Sequence, residues 1–585
     1  MAIDVTSPSA ERGAWPWPAL VLGVSLPLLL AIGIGLWRTP FPIGETVALL
    51  ADYVGVSPST FFDPTTRSWY RPLYHLTWWS FWQGSGSLDT ALIWFKWLEI
   101  AAMALLVLLF IRQLRPRTAI DAVAAVLAVT VLVGMPGFSD NLEVPLLMTL
   151  VGMPIALVVW MLLEVEYRAW HAPLIVALLL VAVGFKEQGL VIAPVVVAAW
   201  WLKAPGARWT TAAAVVVAVV AYLALRLTTS GSWRPFEQDV GLGFTMLSAG
   251  EASDRFGAFP LWMYAHNAGA TILNILLSEP TDGRFMITAR ALQGELQGMD
   301  ITRVLSSALL TALIVWWGIG AVRRSSGWRS WDAEARVFAA TVVAVAASGA
   351  LGFNYSRGRL GGMAVVFYAL AAYYALRAAI ARGRISSPPH RTAVSTVVLI
   401  LAVAWPVRAL GTVDDVRARA ARNHREWISD LQERRVENAD YPAYVQVLNA
   451  MADQGLRPAS ALTPSMSFAT AIAEGAVEHA YALIRRGQDP NAPVTFRHPD
   501  ITGEREVSVT PLMLAVATGR DNAVSMLLSV GVRLDAPGNR GAVCLATQLE
   551  REDITAILIR YGIPAPAPCS APPAASTPPL LAFVD

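Results

Sequence analysis

The sequence predicts an all-α protein in which a polytopic bundle of transmembrane helices precedes an α-solenoid of short repeated helix pairs. Of the 585 residues, 55% are hydrophobic and only 15% are charged, whereas a soluble domain carries about 25% charged residues. Long apolar runs occupy the chain up to about residue 411, and a short periodic motif occupies the later part. The net charge of +2 gives no reason to expect nucleic acid as a partner.

Eleven stretches fit a transmembrane helix, which needs about 20 mostly apolar residues. They are residues 15–37, 90–111, 119–137, 144–163, 172–185, 189–202, 209–229, 304–322, 336–354, 360–380 and 392–410. The fifth and sixth are short and meet at Lys186-Glu187-Gln188-Gly189, so both two tight spans and one broken re-entrant element fit. The sequence therefore defines the number of spans only to within one or two. No small-residue cleavage site follows the first run, which predicts a retained helix rather than a signal peptide.

Positive charge in the short loops predicts the orientation, because cytoplasmic loops carry an excess of Lys and Arg. These residues fall on one predicted side and are Arg112, Arg115, Arg117, Lys203, Arg208, Arg323, Arg324, Arg329, Arg336, Arg382, Arg384 and Arg391. We expect a multi-pass protein of the cell inner membrane with a cytoplasmic N-terminus. Segments 38–89 and 230–303 are then extracytoplasmic. An odd span count also places the C-terminal domain outside, and one miscounted span reverses that.

The C-terminal part contains a repeat with a period near 33 residues. A helical linker at 412–440 precedes four Leu-Leu-x-x-Gly-like ends at Gly455, Gly487, Gly531 and Gly562, with spacings of 32, 44 and 31 residues. Thr510-Pro511-Leu512-Met513-Leu514-Ala515 is similar to the Thr-Pro-Leu-His-x-Ala pattern, with Met513 at the His position. Residues 441–565 thus resemble ankyrin repeats, which implies a protein partner. The insert at 497–506 predicts an extended hairpin, and the Pro/Ala-rich segment 566–585 predicts a disordered tail.

Two short motifs point to chemistry in the membrane domain. Tyr70-Arg71-Pro72-Leu73 lies in the first long extracytoplasmic segment and precedes an aromatic run at 78–82 that predicts an interfacial helix. Lys186-Glu187-Gln188-Gly189 lies between two later spans. The topology also brings the span-end residues Arg226 and Arg357 to the same predicted membrane face.

Together these elements resemble the GT-C superfamily of membrane glycosyltransferases, and most closely its protein O-mannosyltransferase-like branch, over about residues 15–410 of a membrane domain predicted at 1–411. The resemblance implies a hexosyltransferase that moves a sugar from a polyprenyl-phosphate donor to a protein or glycan acceptor on the extracytoplasmic face. It implies Glu45 as the catalytic base, with Asp52 as the alternative. The expected substrate-binding residues are Arg71, Lys186 and Glu187 of the two motifs, together with Arg226 and Arg357, which the topology places on the same face. The cations among them would stabilise the donor phosphate.

The chain departs from the family pattern in three places. The acidic pair of the first loop is reduced to Glu45 in Gly44-Glu45. The second span carries Lys96 and Glu99 in place of a His, and we expect these two to neutralise each other on one helix face. The Arg that usually follows the Glu of the fourth span is missing. These departures put catalysis in question.

Other interpretations fit the same residues. The charged groups can form structural pairs, the bundle can be an inactive scaffold that binds partners through its repeats, or it can be a transporter with broken helices. The seven histidines do not cluster, so we expect no cofactor and no metal site built by the protein, although a divalent metal stays open. The expected partners are membrane lipid, a polyprenyl-phosphate sugar and a protein.

Overall fold

A computed structural model of the chain describes residues 17–39, 50, 53, 55–64, 70–85, 87–138, 149–227, 240–242, 245–247, 252–254, 261–281, 283–325, 331–385, 387–429, 447 and 466–562. The chain divides into two compact units with the main boundary after Ala418. The second unit also includes residues 40–56 and 87–89. The described chain is mostly helical, which confirms the predicted all-α class.

The first unit is a bundle of helices. Its α-helices are α1 (Trp17–Arg38), α2 (Pro72–Ser85), α3 (Leu88–Leu114), α4 (Ala119–Gly134), α5 (Thr149–Leu163), α6 (His171–Phe185), α7 (Ile192–Trp201), α8 (Trp209–Leu227), α9 (Leu261–Leu277), α10 (Met286–Gln293), α11 (Gly298–Arg324), α12 (Ala333–Leu351), α13 (Gly362–Ile385) and α14 (Pro388–Ser429). The last of these, α14, continues past Ala418 into the second unit. Short 3₁₀ helices span Pro58–Phe62, Glu187–Val191 and Gly358–Gly361. Strands β1 (Val240–Leu242) and β2 (Thr245–Leu247) pair antiparallel.

Each of the eleven predicted spans overlaps one of these helices. Within the described residues, seven helices are long and apolar enough to cross a membrane: α1, α3, α8, α11, α12, α13 and the first part of α14. The other four, α4 to α7, are apolar helices of 10 to 17 residues. The chain therefore has the helices of a membrane protein, and the count of eleven spans stays a prediction.

Helix α13 forms the centre of the bundle. It packs against α4, α5, α11 and α12, and its residues from Met363 to Tyr373 are buried on all sides. Small residues allow these close contacts, as in many membrane helix interfaces. At Gly137, an added Cβ would lie only 2.9 Å from the carbonyl carbon of Gly361.

The described part of the second unit after residue 466 contains three helix pairs. They are α15 (Phe468–Glu474) with α16 (Val477–Arg485), α18 (Pro511–Ala517) with α19 (Asp521–Ser529), and α20 (Ala542–Gln548) with α21 (Glu552–Arg560). The first helix of each pair is followed by a left-handed residue, at Gly475, Gly519 and Glu550. Left-handed glycines also follow the second helices, at Gly487, Gly531 and Gly562. The same backbone conformation therefore recurs at the sequence spacing of the repeat.

Side chains join successive pairs. Asn522 Nδ2 donates to the Gly475 carbonyl at 3.1 Å, and Thr510 Oγ1 donates to Asn539 Oδ1 at 2.6 Å. The first two pairs are separated by the predicted hairpin, in which β3 (Val494–Phe496) pairs antiparallel with β4 (Val507–Val509). A short helix α17 (Pro499–Thr502) lies in the connection between these strands. Gly455 and the predicted tail lie outside the described residues.

Candidate functional site

The two sequence motifs of the membrane domain meet in the structure. Arg71 Nε donates to Glu187 Oε1 at 2.7 Å, although 116 residues separate them in the chain. Beside this ion pair, α2 packs on α6: an added Cβ at Gly184 would lie 3.0 Å from Leu73 Cγ. The Tyr-Arg-Pro-Leu and Lys-Glu-Gln-Gly segments therefore form one site.

A sharp break between α6 and α7 places Glu187. Helix α6 ends at Phe185, and Lys186 is extended, with φ −158° and ψ 140°. A 3₁₀ turn over Glu187–Val191 then leads into α7. At Gly189, an added Cβ would lie 2.7 Å from the backbone of Ala182 and Val183. Only glycine allows the turn to lie this close to α6, and the turn also contacts α5, α12 and α13.

A second arginine reaches the same carboxylate from the end of α8. Arg226 Nη1 donates to Glu187 Oε1 at 2.6 Å. One helical turn earlier, the Tyr222 hydroxyl donates to the Tyr70 carbonyl at 3.3 Å and accepts from Arg226 Nη1 at 3.4 Å. Two guanidinium groups from distant segments thus share one carboxylate oxygen, and Tyr222 connects them to the backbone of the first motif.

The cluster is largely withdrawn from solvent. The side chains of Arg71, Arg226 and Glu187 are 13%, 4% and 17% exposed. Burial alone would lower the pKa of Arg71, but the adjacent Glu187 carboxylate outweighs it, so the pKa of Arg71 is raised above its ordinary value. Arg71 therefore stays charged at any working pH. Lys186 is also buried and adds its charge beside Glu187.

Arg357 lies at the edge of this cluster. Helix α12 ends at Leu351, so Asn354-Tyr355-Ser356-Arg357 follows a predicted span end. The Arg357 guanidinium carbon lies 5.9 Å from the centre of the Tyr355 ring, and Tyr355 is close enough to Arg71 to contribute to its raised pKa. The structure thus brings together Arg71, Lys186, Glu187 and Arg226. Arg357 lies beside Tyr355, which is also near Arg71. Glu45 and Asp52 lie outside the described residues.

Lys96 of the second span binds the end of α1 in addition to its electrostatic interaction with Glu99. Lys96 Nζ donates to the carbonyl oxygens of Trp37 and Thr39, both at 2.6 Å. Glu99 is 1% exposed, and within the part of the chain that the structure describes its Oε2 has no hydrogen-bond partner. Lys96 therefore binds the C-terminal end of α1, where helix carbonyls lack intrahelical partners.

The aromatic run forms the predicted helix but is not wholly interfacial. Trp78 is fully buried, and its ring stacks on Phe95 of α3, with 4.2 Å between the ring centres. Trp79, Phe81 and Trp82 are partly exposed. At least one tryptophan of the run is thus a core residue.

Sequence reasoning missed two members of the site. Tyr222 precedes Arg226 by four residues, and this i, i+4 spacing on one helix face was an available signal. Gln188 is 2% exposed, and neither end of its amide has a hydrogen-bond partner among the described residues. A buried amide without partners costs free energy, so the position of Gln188 beside Glu187 is energetically unfavourable by itself.

Another buried cation was also missed. Arg408 of α14 is 1% exposed, and it donates to Ser307 Oγ at 2.6 Å and to Ser278 Oγ. Its guanidinium carbon lies 4.3 Å from the Trp405 ring centre. In the described residues no carboxylate forms an ion pair with it. Hydroxyl dipoles and an aromatic face solvate this charge, which makes it a structural element of the bundle.

No protein-family model matches the chain, and no curated protein or solved structure matches it either. Among the described residues, no three His, Cys, Asp or Glu side chains are grouped so that they could hold a metal ion. The expectation of no cofactor stays a prediction. Any functional conclusion depends on the geometry of the Arg71, Glu187 and Arg226 cluster.

Proposed function

We propose that the chain is an integral membrane glycosyltransferase of the GT-C type. It transfers a hexosyl group from a polyprenyl-phosphate donor to a protein or glycan acceptor on the extracytoplasmic face. The observation that carries the proposal is the convergence of Arg71 and Arg226 on one oxygen of Glu187. A cavity that recognises a lipid phosphate needs cations held in fixed directions, and a shared carboxylate provides that.

Cationic groups at this position serve the chemistry of the donor. The acceptor hydroxyl oxygen attacks the anomeric carbon, and the bond from that carbon to the phosphate oxygen breaks. The electron pair leaves with the polyprenyl phosphate, whose developing charge preorganised donors stabilise. Arg71, Arg226 and Lys186 supply the positive charge that stabilises the leaving phosphate, and Arg357 adds a further cation beside Tyr355.

Glu187 has a positioning role in this scheme. Two guanidinium groups already bind its Oε1, which makes it a poor proton acceptor. The proton of the acceptor hydroxyl goes instead to a carboxylate of the first extracytoplasmic segment. Glu45 is the proposed base, and Asp52 is the alternative.

The C-terminal helix pairs are proposed to be ankyrin repeats that bind a protein. Three helix pairs recur with left-handed residues at the same two places in each, and side chains connect neighbouring pairs. Stacked pairs of this kind form extended binding surfaces. This domain would recruit either the acceptor or a regulator of the membrane domain.

The experiment is mass spectrometry of surface glycans and glycoproteins from cells that lack the protein. The native chain, Arg71→Gln, Glu45→Ala and the control Arg290→Gln are restored at equal protein level. Arg290 pairs with Asp300 in another predicted extracytoplasmic segment, with 3.0 Å between Nη1 and Oδ2. We expect a sugar that is lost on deletion and regained with the native chain and Arg290→Gln only.

Three other outcomes are possible, and each would exclude one part of the proposal. Full restoration by Glu45→Ala would exclude Glu45 as the base and leave Asp52. Full restoration by Arg71→Gln would exclude the cluster from the reaction. A glycan profile that does not change on deletion would contradict transferase activity and favour an inactive scaffold.

A further inference from the structure

A long apolar groove runs between α1 and α3. Its larger part has a volume of about 700 Å³, with Leu26, Leu30 and Ile34 on one wall and Ile100, Ala104 and Val107 on the other. A second part of about 530 Å³ continues towards the N-terminal end of α1, and both parts include Leu22 and Leu108. The two cavities therefore adjoin at these residues and together extend along the pair of helices.

Three arginines line the end of this groove at the C-terminus of α3. They are Arg112, Arg115 and Arg117, and all three are exposed. Arg115 has a left-handed backbone, with φ 46°, which is unfavourable for a residue with a Cβ. The chain accepts this conformation at a turn that carries three cations within six residues.

Nearby acidic residues do not neutralise these arginines. Asp121 Oδ1 pairs with Arg377 Nε at 2.8 Å, and Asp121 Oδ2 accepts from the backbone N–H groups of Arg117 and Thr118 at 3.0 Å. In the described ranges no ion pair engages the guanidinium group of Arg112, Arg115 or Arg117. Among the residues that the structure describes, the groove thus ends in positive charge that no ion pair neutralises.

The opposite end of the groove has the residues of a membrane interface. Trp37 and Trp97 face each other there, with 5.4 Å between ring centres, beside Arg38. Helix α1 has 22 residues, so it is about 33 Å long at 1.5 Å per residue. That length matches the roughly 30 Å hydrocarbon core of a bilayer. The groove therefore crosses the membrane thickness, and its arginine end lies on the predicted cytoplasmic side.

We propose that this groove binds an anionic glycerophospholipid of the cytoplasmic leaflet. The lipid phosphate lies at Arg112, Arg115 and Arg117, and an acyl chain lies between α1 and α3. Charge complementarity decides the occupant, because three cations meet an apolar channel on the side where anionic lipids attract basic residues. This site lies at the opposite end of the bundle from the predicted donor face, and it does not depend on the proposed glycosyl transfer.

Native mass spectrometry of the full-length protein in detergent tests the site. The protein is titrated with dioleoylphosphatidylglycerol or dioleoylphosphatidylcholine. The charge variant is Arg112→Gln/Arg115→Gln/Arg117→Gln, and the matched control is Lys203→Gln/Arg208→Gln/Arg323→Gln, which removes three charges from the same predicted face. A third variant, Leu108→Trp, fills the groove where its two parts meet and keeps every arginine. Leu108 is 51% exposed, so this variant serves even if the charge variant fails to fold.

We expect phosphatidylglycerol to bind the native chain at least tenfold more tightly than phosphatidylcholine, since each basic side chain contributes a factor of about five. The charge variant loses this preference, Leu108→Trp weakens the binding of both lipids, and the control retains the native preference. Equal binding of both lipids, equal losses in the control and the charge variant, or full binding to Leu108→Trp would overturn the proposal. Preferential binding of polyprenyl phosphate at these arginines would overturn the choice of a phospholipid.

Discussion

Glu164 and Glu187 both bind arginine inside the bundle, but they do so in different ways. Glu164, just after α5, binds Arg336 of α12 through both oxygens, with Nε–Oε1 at 3.0 Å and Nη2–Oε2 at 2.8 Å. Glu187 uses one oxygen for two arginines, at 2.7 and 2.6 Å. The first arrangement matches one charge with one charge. The second gathers cations around one carboxylate.

This difference separates a structural ion pair from a candidate binding site. A bidentate pair between two helices fixes their packing and satisfies both partners. A shared oxygen orients two guanidinium groups around one carboxylate. The predicted topology also separates the two glutamates, with Glu164 at the cytoplasmic end and Glu187 at the extracytoplasmic end, where a lipid-linked donor would be used.

The largest expected effect is the loss of unfolding free energy when the Glu164–Arg336 pair is broken. Arg336→Gln leaves Glu164 largely buried without its partner, which costs about 3 kcal/mol of unfolding free energy. The control Arg324→Gln removes an arginine that is 58% exposed in its pair with Glu334 and costs less than about 1 kcal/mol. Denaturant unfolding of the purified chain in detergent measures both. Equal losses would show that the Glu164 pair is not a structural one.

At the site where two arginines share Glu187, loss of the carboxylate should lower the free energy of unfolding more than loss of one arginine. Glu187→Gln leaves two guanidinium groups without their common carboxylate, whereas Arg71→Gln leaves Glu187 still bound by Arg226. We expect Glu187→Gln to cost about 2 kcal/mol, the range of hydrogen bonds to charged groups, and Arg71→Gln to cost clearly less. The same unfolding assay compares them. A larger loss for Arg71→Gln would mean that Glu187 does not hold the cluster together.

Gly189→Ala should disturb the turn that presents Glu187. The added Cβ would lie 2.7 Å from the backbone of α6, and overpacking of this kind costs about 1–3 kcal/mol. The matched control is Gly23→Ala in α1, where a Cβ meets nothing within 4 Å, and where alanine favours the helix. Thermal unfolding in detergent should separate the two variants. Similar midpoints would show that the turn tolerates a side chain and is less tightly fixed than its contacts indicate.

The smallest expected effect lies in the C-terminal helix pairs. Thr510 caps α18 by accepting from the Met513 N–H and also joins the next pair through Asn539, so Thr510→Ala costs about 1 kcal/mol or slightly more. Ser467 caps α15 in the same way, by accepting from the Thr470 N–H at 3.1 Å. The structure shows no bond from Ser467 to another described pair. Hydrogen exchange should therefore rise in both α18 and α20 for Thr510→Ala, and only around α15 for Ser467→Ala.

The sequence predicted the elements of this fold better than their contacts. Apolar runs of about 20 residues located the helices, because a span must have that length and composition. Motifs and span ends located Arg71, Lys186, Glu187 and Arg226. The sharing of Glu187 could not be predicted, because it depends on the rotation of α8 about its axis and on the close approach of Gly189 to α6.

Side-chain contacts between distant helices explain the other failures. Lys96 was expected to pair with Glu99, but its further contact with the end of α1 was not predicted, because that contact depends on where two separate helices meet. Arg408 lies among serines from positions 278 to 307, which hydropathy does not reveal. A hairpin was predicted at the insert 497–506, and two strands do pair on either side of it, but the insert itself forms a short helix and turns rather than extended strands.

The central claim is that the arginines around Glu187 bind a lipid phosphate. Its most direct test is the affinity of the purified chain for polyprenyl phosphate, measured by native mass spectrometry. The native chain, Arg71→Gln/Arg226→Gln and the control Arg290→Gln are compared. We predict that the double variant binds at least tenfold more weakly, because two charged hydrogen bonds of about 1.5–3 kcal/mol each are lost, while the control binds as the native chain does. Unchanged affinity in the double variant would contradict the claim.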